Sequence, residues 1–112
     1  MPTRGQAMIH RERADAVERV VNIVADFYRI PAEDILGEAR AVEVVEARQV
    51  AIWICRAAYL WDYASIGRLF QRDHTTVING IRHLTQRAHG NPYLHRRMVH
   101  LAQLAARQEV EA

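Results

Sequence analysis

From Glu12 to Arg29 the apolar positions Val17, Val20, Val21, Val24, Phe27 and Tyr28 recur at steps of three and four, which predicts an amphipathic helix. The Ile30-Pro31 step ends it, because the residue before a proline avoids the α region. Pro31 to Leu36 reads as a short turn of helix closed by Gly37. Residues 38–45 read as a loop, since a strand there has no second strand to pair with. The next helix is expected from Glu46 to Tyr59, with Ala47, Ala51, Ile54 and Ala58 as its buried stripe and Arg48, Gln49 and Arg56 on another flank. Asp62 is suited to cap a short helix carrying Ile66, Leu69 and Phe70. Gln71-Arg72 then makes a tight turn, and Asp73 caps a helix from His74 to Ala88 that turns Val77, Ile81, Leu84 and Ala88 inward. After Gly90, Asn91-Pro92 opens a last helix to Arg107, with Leu94, Met98, Leu101 and Leu104 along one side. That last stripe is expected to close the core rather than to form a dimer interface. The pattern predicts an all-α domain over 12–107, with five or six helices, a flexible segment at 1–11 and a tail at 108–112.

The 112 residues are half apolar and a quarter charged, the composition of one globular domain and not of a disordered chain. No apolar run approaches the roughly 20 residues of a membrane helix, and the first residues lack the apolar core of a secretory signal. A single cysteine, Cys55, leaves no internal disulfide and fits a reducing compartment, so a cytoplasmic location is expected. Net charge is only +2, but it is unevenly spread. Residues 1–62 hold eight arginines against ten acids; residues 63–112 hold seven against three, with five of the six histidines. A basic half beside an acidic one is a pattern of nucleic-acid binding.

A short helix, a tight turn and a longer helix form the unit that many DNA-binding proteins use. At the start of the second helix, Asp73, His74, Thr75, Thr76, Asn79, Arg82 and His83 point outward. Hydroxyls, an imidazole and a carboxylate can read the donors and acceptors of the major groove, and a threonine methyl can pack on a thymine methyl. Taken alone, Asp73, Thr75 and Thr76 are better explained by helix capping than by base contact. The histidines His83, His89, His95 and His100 lack the tight Cys or carboxylate spacing of a zinc site. Trp53, Tyr59, Trp61 and Tyr63 suit core packing and helix-end anchoring better than base stacking. No catalytic residue, metal or cofactor is expected, and no enzyme activity.

Several segments together resemble the carboxy-terminal DNA-binding domain of the bacterial chromosomal replication initiator, DnaA. They are Val24-Ala25-Asp26-Phe27-Tyr28, Ile30-Pro31-Ala32-Glu33-Asp34-Ile35-Leu36, Ala47-Arg48-Gln49-Val50-Ala51, Ser65-Ile66-Gly67 and above all Arg72-Asp73-His74-Thr75-Thr76-Val77. The resemblance covers roughly residues 16–88 and implies a Trp-repressor-like helix-turn-helix domain. It implies base contacts in the major groove of a DnaA box for Asp73, His74, Thr75 and Thr76, with Asn79, Arg82 and His83 as additional candidates. It implies phosphate contacts for Arg48, Gln49, Arg56 and Arg72, and insertion of Arg40 into an A·T-rich minor groove.

Two departures stand out. The family's loop at 38–46 is usually basic, whereas here Arg40 is accompanied by Glu38, Glu43 and Glu46. The family usually has two glycines between the phenylalanine and the arginine of its motif, and here only Gln71 separates Phe70 from Arg72. The chain also lacks the G-x-x-x-x-G-K-[ST] loop of the initiator's ATPase module, so it resembles the DNA-reading domain standing alone. The expected function is sequence-specific binding of double-stranded DNA at DnaA-box-like sites, regulating replication initiation or transcription by occupying them. The alternative is a protein-interaction module derived from such a domain. Expected partners are duplex DNA and, by competition or co-occupancy, the full-length initiator; the chain is expected to be nucleoid-associated, without membrane contact, and a monomer is favoured.

Overall fold

Among the described residues there are six helices and no strand: α1 (Arg4–Tyr28), α2 (Ala32–Leu36), α3 (Val42–Ala57), α4 (Tyr63–Phe70), α5 (His74–His89) and α6 (Pro92–Glu111). The computed structural model describes residues 3–111, apart from the side chains of 6–8 and 109–111. Met1, Pro2 and Ala112, which belong to the expected terminal segments, lie outside the described residues.

The helix at the centre is α3, which touches every other helix. Its Ala47, Val50, Ala51, Ile54 and Cys55 are fully buried, and Val20 and Val24 of α1, Ile66 of α4, Leu84 of α5 and Leu101 of α6 close around them. The α6 stripe therefore closes the core: Leu94, Met98 and Leu101 are buried, and Leu104 is half-buried against them. The aromatic side chains Trp53, Tyr59, Trp61 and Tyr63 pack part-buried on the same core. No helix among the described residues is long and apolar enough to cross a membrane.

Four expectations are corrected. Helix α1 begins at Arg4 rather than near Glu12, so residues 4–11 are helical although they carry no apolar stripe. Helix α3 begins at Val42, one turn before Glu46. The β-branched residues Val42, Val44 and Val45 are indifferent helix formers, but Val44 is buried and extends the stripe of Ala47 and Ala51 by a turn, while Glu43 sits favourably at the positive end of the helix dipole. Phe27, expected in the α1 stripe, is instead 44% exposed and lies against the His100 ring, with centroids 6.0 Å apart. Ala58 falls just beyond α3 and is exposed.

The end of α1 shows how the chain turns. Arg29 takes a left-handed conformation, φ 56°, and the Ile30 N–H donates to the Ala25 carbonyl at 3.0 Å. This is the hydrogen-bond pattern that closes helices before a proline.

Candidate nucleic-acid interface

Helices α4 and α5 are joined by a turn of three residues, 71–73. Asp62 caps α4: its Oδ2 accepts from the Ser65 N–H at 3.3 Å, and its Oδ1 accepts from the Ser65 hydroxyl at 2.6 Å. At the other end Gln71 adopts φ 55°, ψ 47°, and the Arg72 N–H donates to the Gly67 carbonyl at 2.7 Å. The turn thus takes the left-handed step that usually falls to glycine, but with a glutamine. Gly67 makes the close approach possible. A Cβ built there would stand 2.5 Å from the Arg72 carbonyl oxygen.

Asp73 then caps α5 by accepting from the Thr75 N–H at 3.2 Å, and its other oxygen lies 3.5 Å from His74 Nδ1. Capping does not bury it. Asp73, His74, Thr75 and Thr76 are all exposed, and so are Asn79, Arg82 and His83 on the following turns; Ile81 is half-buried, and Val77, Leu84 and Ala88 hold the opposite face in the core. One helix end therefore presents a carboxylate, an imidazole and two hydroxyls in consecutive positions, beside backbone N–H groups that suit an anion.

The arginines expected at phosphates are placed differently. Arg48 is only 9% exposed, and it donates from Nε to the Ile35 carbonyl at 2.7 Å and from Nη2 to the carbonyls of Asp34 and Ala39 at 2.9 and 3.0 Å. A helix as short as α2 leaves its last carbonyls without intrahelical donors, and Arg48, expected at a phosphate, here donates to them. Arg72, half-buried, donates to the carbonyls of Leu36, Phe70 and Gly37. Burial lowers the pKa of both groups; for Arg48 the neighbouring Arg72 charge adds to this, and for Arg72 the Glu38 carboxylate opposes it. Between them the two guanidiniums tie down the α2–α3 loop that carries the exposed Arg40, and all three arginines line one cleft of about 470 Å³.

Arg56, half-buried at the end of α3, donates to the Trp61 carbonyl at 3.0 Å and lies 4.5 Å over the Tyr63 ring. Gln49 is half-buried against Gly80 of α5, and its Oε1 is buried with no hydrogen-bond partner among the described residues.

Glu46 is not part of the loop at all. Its Oε1 accepts from Arg87 of α5 at 2.8 Å, and its Oε2 accepts from Arg97 of α6 at 2.7 Å and from the Tyr28 hydroxyl of α1 at 2.7 Å. Burial raises its pKa, but the Tyr28 hydroxyl and the two guanidiniums outweigh that and hold it below the ordinary carboxylate value. One carboxylate thereby clamps the far end of α5 to three other helices. Sequence reasoning counts Glu46 among acids facing DNA; the only signal otherwise is its place one residue before the buried Ala47, which is slight.

A capped helix, a left-handed turn and a second helix whose first turn stands clear of the body define a helix-turn-helix domain. The family model described as "Bacterial dnaA protein helix-turn-helix" matches residues 17–84, and the chain belongs to that family. It is 41% identical over 68 residues to chromosomal replication initiator protein DnaA 1 of Chlamydia muridarum, a match covering 61% of this chain and 15% of that protein. It is 42% identical over 65 residues to the DnaA of Aquifex aeolicus, covering 57% and 16%. The chain thus spans about a sixth of the curated relatives it matches. Among solved structures, a DNA replication initiation factor superposes with a TM-score of 0.79 at 31% identity, over 88% of this chain and 30% of that one. A replication initiator DnaA bound to AMPPCP and single-stranded DNA superposes with a TM-score of 0.71 at 31% identity, over 95% and 31%.

Proposed function

We propose that the chain binds double-stranded DNA sequence-specifically at sites resembling DnaA boxes, and that by occupying them it regulates replication initiation or transcription, in place of or beside the full-length initiator in the nucleoid. The observation that carries this reading is the exposed, consecutive row Asp73, His74, Thr75 and Thr76 at the capped start of α5. In this reading α5 enters the major groove by that end, with Asn79, Arg82 and His83 along its flank. Arg72, Arg56 and Gln49 lie toward the sugar–phosphate backbone, and Arg48 acts behind them by holding the α2–α3 loop. Arg40, projecting from that loop, enters the adjacent minor groove.

The test is paired affinities at one fixed salt concentration. Thr75→Ala and Thr76→Ala are each expected to weaken binding to the preferred site by roughly 1–2 kcal/mol and to leave binding to random duplex nearly unchanged. Equal losses on both DNAs would return these residues to capping and phosphate contact.

A second measurement concerns Arg40. Narrow A·T-rich minor grooves carry enhanced negative potential, so an inserted guanidinium discriminates by groove shape alone. Arg40→Ala is expected to reduce the preference between two sites that differ only in an A·T-rich flank. A wild-type ratio in the variant removes the minor-groove assignment. The protein-interaction reading rested on three acids around Arg40. Glu46 is turned into the Arg87–Arg97 clamp instead, which leaves Glu38 and Glu43 on that side and favours DNA.

A further inference from the structure

Resting on the DNA-binding reading, we propose that Arg13 of α1 and Arg68 of α4 form a site for a backbone phosphate, so that the duplex contact continues from the helix-turn-helix onto the first helix. The two residues are 55 apart in the chain and meet at one atom: Arg13 Nη1 donates to the Ser65 hydroxyl oxygen at 3.2 Å, and Arg68 Nη2 donates to the same oxygen at 3.1 Å. Two guanidiniums held at one neutral oxygen repel each other. Asp62, whose two oxygens accept from Ser65, supplies one compensating charge against the two guanidiniums, and an excess of one positive charge remains. The arginines, Ser65 and His10 open onto a cleft of about 270 Å³ between α1 and α4, with room for a phosphate group.

The position of this cleft is the second argument. Three clefts follow one another across this side of the molecule. The first holds Arg40, Arg48 and Arg72; the second shares Arg72 and adds Arg68 beside Asp73 and His74; the third shares Arg68 and adds Arg13. Arg40, Arg72, Arg68 and Arg13, from two helices and two connecting segments, therefore run in series past the start of α5, with Arg48 buried behind them. A cationic track of that kind matches a strand of phosphates spaced along a duplex better than it matches a single small anion. Arg13 is also held at 5.4 Å over the Trp61 ring, which orders the guanidinium before any ligand arrives.

The experiment is the salt dependence of affinity of the full chain, by fluorescence anisotropy, on a duplex carrying a site selected from a random pool with long flanks. Arg13→Gln and Arg68→Gln are each expected to lower the magnitude of the slope of log K against log salt by about one. Arg13→Lys is expected to restore it, since an ammonium at that place still releases a counterion. Trimming the duplex from the end that lies over α1 should make wild type and Arg13→Gln equal. A purely structural role for Arg13 moves the unfolding midpoint and leaves the slope alone. If Arg13→Gln keeps the wild-type slope while Thr75→Ala still loses discrimination, the α1 site is overturned and the DNA reading stands. If wild type binds no duplex in the pool, both are overturned.

Discussion

Arg48→Ala is expected to destabilise the protein by about 3 kcal/mol, seen as a lower urea midpoint with an unchanged m-value. The side chain is nearly buried and gives hydrogen bonds to three carbonyls, of Asp34, Ile35 and Ala39. Hydrogen bonds from a charged donor contribute roughly 1.5–3 kcal/mol each, and three from one guanidinium add less than in full because truncation lets the loop relax toward water. The same change releases the segment that carries Arg40, so discrimination for an A·T-rich flank should fall along with stability. Arg48→Lys tests the geometry: an ammonium is a point charge and cannot reproduce the planar fork that serves carbonyls on two sides. Little recovery of stability is expected from it. An unchanged midpoint in Arg48→Ala, joined to a salt slope lower by about one, would return Arg48 to the sugar–phosphate backbone and overturn its placement as a loop tether.

This residue also shows what the sequence discloses and what it withholds. Helical periodicity makes the core stripes visible, because burial selects a residue every three or four positions: Val17, Val20, Val21, Val24, then Ala47, Ala51, Ile54, then Val77, Leu84, Ala88, are buried where the spacing puts them. Capping chemistry is equally local, so Asp62 and Asp73 are found by inspection and both accept the expected backbone N–H. Arginine carries no such mark. Whether a guanidinium meets a phosphate or a carbonyl depends on which loop folds over it, and carbonyls from the distant α2–α3 region hold both Arg48 and Arg72. Glu46 fails for the same reason, since its three partners stand 18, 41 and 51 residues away. The start of α3 fails for another: Val42, Val44 and Val45 argue weakly against helix, and only the buried place of Val44 against its neighbours overrides that preference.

Gly67→Ala is expected to cost about 2–3 kcal/mol in stability and to weaken site-specific binding more than binding to random duplex. The added methyl would stand 2.5 Å from the Arg72 carbonyl, which is backbone, so no side-chain rotation relieves it. Overpacking of this kind costs about 1–3 kcal/mol, and here the yielding element is the turn that sets the angle between α4 and α5. Phosphate contacts tolerate a small change of helix angle better than base contacts do, because orientation matters less to a charge than to a directed hydrogen bond. The opposite change is available one turn later. Gln71 holds φ 55° with a side chain that gains nothing from that region, so Gln71→Gly removes a left-handed penalty of about 1–2 kcal/mol and returns part of it as added freedom in the unfolded chain. A net gain of about 0.5 kcal/mol is expected, with the discrimination of the wild type retained. Thermal or urea unfolding reads the two variants in one experiment, and their signs must be opposite. If Gly67→Ala is as stable as wild type and keeps its specificity, the turn is slack, and the close contact between Gly67 and Arg72 does not set the presentation of α5.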